Sequence, residues 1–245
     1  MKVDDYQIKI HDGPARYGMV GGAETPLLLK HEEMEIAEYE TLPYSIPREL
    51  AEWGVAETLR MASGSDAEYA FIHGSMYRDL RVKCALELED LDFRRLIVAN
   101  MDELLQRPRD LVETVTSLRE ALKPDTLLCS TFSHPAFIPL LAYMGMDIFS
   151  DALAEFYGRL NVFLTETHTY PLNEYRLYEM GAEELVEENR RTLNLVIREV
   201  RERIKKGTLR NLVEERAASS PVNMSALRIL DHEKQDFLQK YTQLY

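Results

Sequence analysis

No run of eighteen apolar residues occurs in this chain of 245, and no basic-then-apolar leader opens it. The first absence excludes a membrane-crossing helix, and the two together predict a cytoplasmic protein with no membrane partner. Cysteine is scarce, with only Cys84 and Cys129 present. Each lies in an apolar pattern far from the other, so buried free thiols are expected rather than a bridge or a metal pair. Positive charge is short too, with 29 Lys and Arg against 42 Asp and Glu and a net charge of −13. Phosphate affinity comes from cations that displace counterions, so this balance argues against a free-standing nucleic-acid binder. Internal repeats, low-complexity tracts and heptad arrays are also missing.

What basic charge there is gathers in residues 190 to 216, which hold nine basic and four acidic groups for a local +5. Exposed charge is the norm on helices, so a solvated face is the stronger reading and an RNA contact the weaker. From Tyr69 to Thr165 short apolar runs alternate with amphipathic stretches, the pattern of βα units and a parallel sheet. Strands are predicted at 69–73, 95–99, 126–130, 147–149 and 161–165. A helix follows Pro108 through Leu111, Val112, Val115, Leu118 and Leu122, and another runs from Pro135 to a stop at Gly145.

Upstream, residues 11–26 read as a hairpin of short strands with glycines at the turns, and residues 30–47 as an acidic surface connection. Downstream, Leu185, Val186, Leu193, Val196, Ile197, Val200 and Ile204 form one stripe of a long amphipathic helix that stops at Gly207, before a short second helix. A complete eight-unit barrel takes about 250 residues. The expected fold is therefore α/β: an abbreviated or partly open TIM-like (β/α) barrel with an N-terminal β-hairpin and a C-terminal helical extension. The barrel domain is placed at 1–180 and the extension at 181–245.

Two segments set polar groups at the ends of apolar strands, where chemistry sits in parallel α/β folds. They are HGSMYRDLR from His73 to Arg81 and AYMGMDIFSD from Ala142 to Asp151. With DGPARYG at 12–18, ETP at 24–26 and GTLRNLVEER at 207–216, they resemble the tRNA-guanine transglycosylase superfamily, and most nearly its archaeosine synthase branch in a split or truncated form. That resemblance implies a TIM barrel, a tRNA-modifying transferase and a 7-cyano-7-deazaguanine substrate in tRNA. It also implies lysine as co-substrate and a second synthase subunit that carries the later catalytic and RNA-binding domains and most of the tRNA contact. The alternative is a non-catalytic scaffold subunit of a tRNA-modifying complex.

In the family a carboxylate attacks the ribose and leaves a covalent RNA intermediate. Ser150 holds that position here, so base exchange is not expected. Asp151 is the catalytic candidate, and it reaches the site only if the backbone bulges, since one step along a strand turns a side chain to the other face. His73 stands where the family has a purine-binding Gln, and capping of the strand end is an equal reading. Asn100 stands where the family prefers glycine. Gly74, Ser75, Ser130, Ser133, His134, Asp147, Ser150 and Arg159 complete the candidate substrate site. For Ser133 a helix cap is the stronger reading, and for Asp147 a structural acceptor. The family's zinc cluster, Cys-x-Cys-x-x-Cys and a His, has no counterpart, because residues 166–192 hold no Cys and only His168. Neither metal nor cofactor is expected, and Tyr170, Tyr175, Leu177 and Tyr178 are expected to pack that region instead.

Overall fold

The computed structural model describes residues 6–241. The chain opens with strands β1 (Gln7–Asp12), β2 (Ala15–Val20), β3 (Ala23–Thr25) and β4 (Leu27–Leu29), then α1 (Arg48–Ala62) and β5 (Tyr69–Ile72). Next come α2 (Arg78–Asp90), β6 (Arg95–Val98), α3 (Met101–Leu104), α4 (Pro108–Ala121), β7 (Leu127–Ser130) and α5 (Ile138–Tyr143). After them lie β8 (Ile148–Ser150), α6 (Ala152–Arg159), β9 (Val162–Leu164), β10 (Thr169–Pro171) and α7 (Leu172–Tyr175). The long α8 (Ala182–Lys205), α9 (Leu209–Ala217), α10 (Pro221–Glu233) and α11 (Gln235–Lys240) complete it.

The centre is a five-stranded parallel sheet in the order β4-β8-β7-β6-β5, an abbreviated (β/α) barrel. Period-two alternation divides its side chains. Ala70, Ile72, Leu96, Val98, Leu128 and Phe149 face the helices and join the large core. Tyr69, Ile97, Leu127, Cys129 and Ile148 face inward and pack with Tyr6, Val20 and Met34 in a second, smaller core. Both sheet edges are covered, which removes free strand groups. Ile36 bridges β5, with the Ala37 amide donating to Tyr69 at 2.8 Å, and α8 lies against β4.

Four of the five strands expected between Tyr69 and Thr165 lie in this sheet. The fifth does not: β9 pairs antiparallel with β10 alone, and the remaining parallel place is taken by β4, which directly follows the N-terminal strands. The predicted hairpin is a three-stranded antiparallel meander, β1-β2-β3. It covers the end where the parallel strands begin, because Arg16 on β2 reaches Asp147 and the Pro124 and Thr126 carbonyls.

Residues 30–47 are not a mere surface connection. Besides the bridge to β5, Tyr44 is buried and donates to Asp110 at 2.8 Å. The aromatic packing expected near residue 175 is also corrected. Tyr175, Leu177 and Tyr178 are about half exposed, although Tyr170 meets Tyr175 and Phe163 meets Tyr178 edge-on. The long helix forms as its stripe predicts, burying Leu185, Leu193, Val196, Ile197, Val200 and Ile204. Those last five residues, with Leu212, Leu227 and Phe237, belong to the same core as the barrel strands. The change at residue 181 is one of secondary structure, with the core continuous across it.

Candidate functional site

The strand ends follow the same alternation. His73 continues the inward row of Tyr69 and Phe71, and Ser150 that of Ile148, whereas Ser130 continues the helix-facing row of Leu128. The inward face at the carboxyl ends of the strands is where a parallel barrel positions its chemistry.

One group forms around β5 and β6. His73 is buried and its ring stacks on exposed Tyr39, with centroids 5.5 Å apart and planes inclined by 21°, and also lies near Phe71. Its Nε2 is buried with no hydrogen-bond partner. Burial, and then the nearby Arg81 guanidinium, lower its pKa to about 4, so the ring is neutral at pH 7. Gly74 adopts φ +143°, and a Cβ there would sit 2.6 Å from the Arg81 amide nitrogen. Only glycine therefore lets this turn lie against α2.

Arg81 is almost wholly buried and ties the group together. It donates to Ser75 O at 2.7 Å, Ala99 O at 2.9 Å and Asn100 Oδ1 at 3.2 Å. Burial lowers its pKa to about 10, still charged at neutral pH. Asn100 is left-handed at φ 56°, which accounts for the family's glycine at this place and for Asn as its replacement. Its amide also donates to Leu42 O at 3.1 Å.

A second group lies after β7 and β8. Ser130 and Ser133 share a 2.5 Å hydrogen bond, and Ser150 Oγ donates to Thr131 O at 2.7 Å. His134 Nδ1 accepts from the Ala136 amide at 3.2 Å, so His134 rather than Ser133 caps the following turn. Burial, with His168 second, lowers the His134 pKa to about 4. Asp151 stands at the N-cap of α6 and its carboxylate is fully engaged. One oxygen accepts from the His31 amide at 2.9 Å and the other from Arg190 Nε at 2.7 Å. Burial alone would raise its pKa, but the His31 amide and Arg190 together hold it below the ordinary carboxylate value. No strand bulge turns Asp151 inward.

Two candidates lie elsewhere. Asp147 precedes β8 and so sits at the opposite end of the sheet from His73. It is wholly buried, pairs with Arg16 at 2.5 Å, accepts from the Leu128 amide at 3.0 Å and lies 3.9 Å from Arg119. This is the structural role, because the strand's length separates it from the mouth. Arg159, at the end of α6, is exposed and pairs with Glu155.

Beside the second group lies a cavity of about 390 Å³ lined by Asp102, Phe132, His134, Tyr157, His168 and Ser220 among others. Among the described residues, one trio of metal-capable donors converges: His31, Glu32 and Glu155. It falls one short of a tetrahedral set, and two of its members are already paired, His31 Nδ1 lying 3.4 Å from both Asp151 and Glu155, and Glu155 pairing with Arg159. Sequence reasoning missed Tyr39, His31, Arg190 and Asp102 at this end. No periodicity marks the first two, and Arg190 belonged to a charge run read as solvated. Arg81 was visible only as the last letter of a motif.

A family model described as queuine tRNA-ribosyltransferase matches residues 36–180. The chain is 32% identical over 158 residues to the archaeosine synthase of Methanocaldococcus jannaschii, covering 64% of this chain and 25% of that protein. It is 32% identical over 227 residues to the tRNA-guanine(15) transglycosylase of Thermococcus onnurineus, covering 81% and 39%. With the corresponding Pyrococcus abyssi protein the identity is 33% over 219 residues, covering 78% and 38%. The chain thus spans between 25% and 39% of the length of these relatives.

Proposed function

The chain belongs to the queuine tRNA-ribosyltransferase family, and from that premise we propose that it is the barrel component of an archaeosine synthase-type tRNA-modifying transferase. In this reading it binds 7-cyano-7-deazaguanine, as base or nucleotide, at the barrel mouth near His73. A second subunit carries the later catalytic and RNA-binding domains, and lysine is the co-substrate.

One observation carries the reading. The inward position at the end of β8, where the resemblance expects a nucleophilic carboxylate, is Ser150 with its hydroxyl donated to Thr131 O, while Asp151 is held by His31 and Arg190. A glycosidic base exchange has no free carboxylate there. Addition of an amine to a nitrile needs none: the amine nitrogen bonds to the nitrile carbon, and a proton passes from that nitrogen to the nitrile nitrogen, giving an amidine. Positioning and proton assistance suffice for that step. Neutral His73, with an unpartnered ring nitrogen, offers one polar contact to a heterocycle edge. The 32% identity to an archaeosine synthase supports the branch.

A scaffold without chemistry is the second reading, favoured by Tyr39 already covering the His73 ring. Calorimetric titration of the chain with 7-cyano-7-deazaguanine separates the two. Binding that is lost in His73→Phe, with lysine transfer to nitrile-bearing tRNA once the partner is added, is the expected result. No base binding, and transfer unaltered by His73→Phe in the complex, would assign the chain to the scaffold role.

A further inference from the structure

The cavity beside β7 is lined by residues other than His73 and Ser150 of the inward face. It opens where the chain leaves β6 and β7, with α6, the β9-β10 hairpin and the start of α10 as its other walls. Asp102 lies on its lining and its carboxylate makes no hydrogen bond or ion pair with any other described residue. Neither lysine nor arginine lines the cavity. A carboxylate without a cation on a lining that also holds the rings of Phe132 and Tyr157 is the combination that attracts an organic ammonium.

The other polar groups are of the opposite kind. His134 uses Nδ1 to accept from Ala136 and is neutral at pH 7, so its proton resides on Nε2, which is a donor with no protein partner among the described residues. The Ser220 hydroxyl, whose oxygen caps the Asn223 amide of α10 and whose O–H is left to donate, lies on the same lining. These groups suit an anionic oxygen. A volume of about 390 Å³ is in the range of small-molecule sites.

We infer that this cavity binds a small amino-acid zwitterion, its ammonium on Asp102 and its carboxylate on His134 Nε2 and the Ser220 hydroxyl. If the reading of the barrel mouth is also right, the cavity holds the amine co-substrate. The inference rests on that reading only in the choice of lysine as probe.

The test is saturation-transfer NMR of the full chain with L-lysine and with hexanoate, which lacks the amine. Saturable lysine binding is expected at millimolar concentrations, with none for hexanoate. Asp102→Asn should weaken lysine about two- to fivefold, as loss of one partner of an exposed ion pair does. Asp102 is exposed, so the melting temperature should hold, and Tyr157→Leu, which removes a ring face, should also weaken lysine. Absence of saturable lysine binding, or equal binding by the wild type and Asp102→Asn, would overturn the inference. Base binding and its loss in His73→Phe report on the barrel mouth independently of this result.

Discussion

Single residues at the two ends of the sheet are both buried, one without a partner and one within an ion pair. His73 is neutral because its charged form would be desolvated beside Arg81. With a folded pKa near 4 against 6.5 for the free side chain, the unfolded chain binds the proton more readily between those values. Stability from this group is therefore complete above pH 6.5 and lost as pH falls toward 4, by about 3 kcal/mol in all. Urea midpoints of wild type and His73→Phe across that window should converge or cross as pH drops, and parallel curves would contradict this account. At the other end, Asp147 is paired with Arg16, with Arg119 close by. Asp147→Asn leaves two buried guanidinium groups facing a neutral amide, so a loss of about 3 to 5 kcal/mol is expected. Base binding at the mouth should be unchanged in that variant when it is measured below its melting temperature.

Asp151 connects three elements, since its carboxylate joins the His31 turn and α8 to the start of α6. Asp151→Ala should therefore cost about 2 to 4 kcal/mol in denaturant unfolding, through an orphaned amide and an unpaired Arg190. Lost activity with full stability would instead return Asp151 to a catalytic role. The turn after β5 is a second junction. Gly74→Ala would drive a methyl group into the α2 backbone at a φ that alanine avoids, and a thermal melt should show a substantial decrease. His73 would then lose its position together with the turn.

Over the whole molecule, charge pairing decides what the basic segment can do. Of the nine basic groups in residues 190 to 216, seven are in ion pairs: Arg190 with Asp151, Arg191 with Glu188, Arg201 with Glu24, Arg203 with Glu199, Lys205 with Glu202, Arg210 with Asp231 and Arg216 with Glu166. Arg198 and Lys206 have no ion-pair partner among the described residues. A net charge of −13 with two uncommitted cations on that segment displaces few counterions. Gel shifts with tRNA should show weak binding by this chain, with a shallow salt dependence, and tight salt-sensitive binding would refute it. The partner proposed above would supply the missing phosphate contacts.

The alternation of apolar runs and helical stripes was enough to read four strands of the parallel sheet, the helix after Pro108 and the long α8, because each element's buried face is written in local periodicity. The motif letters marked His73, Ser150 and the turn between β5 and α2 as places of interest. The ranking among them came only with the folded chain. Alternation sends Ser150 inward and Ser130 toward the helices. One strand length removes Asp147 from the mouth, and a pairing 39 residues away in sequence engages Asp151 with Arg190. Tyr39 and His31 lie in a segment without periodicity, and their contacts with His73 and Asp151 span 34 and 120 positions. Partners that far apart leave no trace in a local pattern, since side-chain satisfaction and charge pairing are decided by which elements the closed sheet brings side by side.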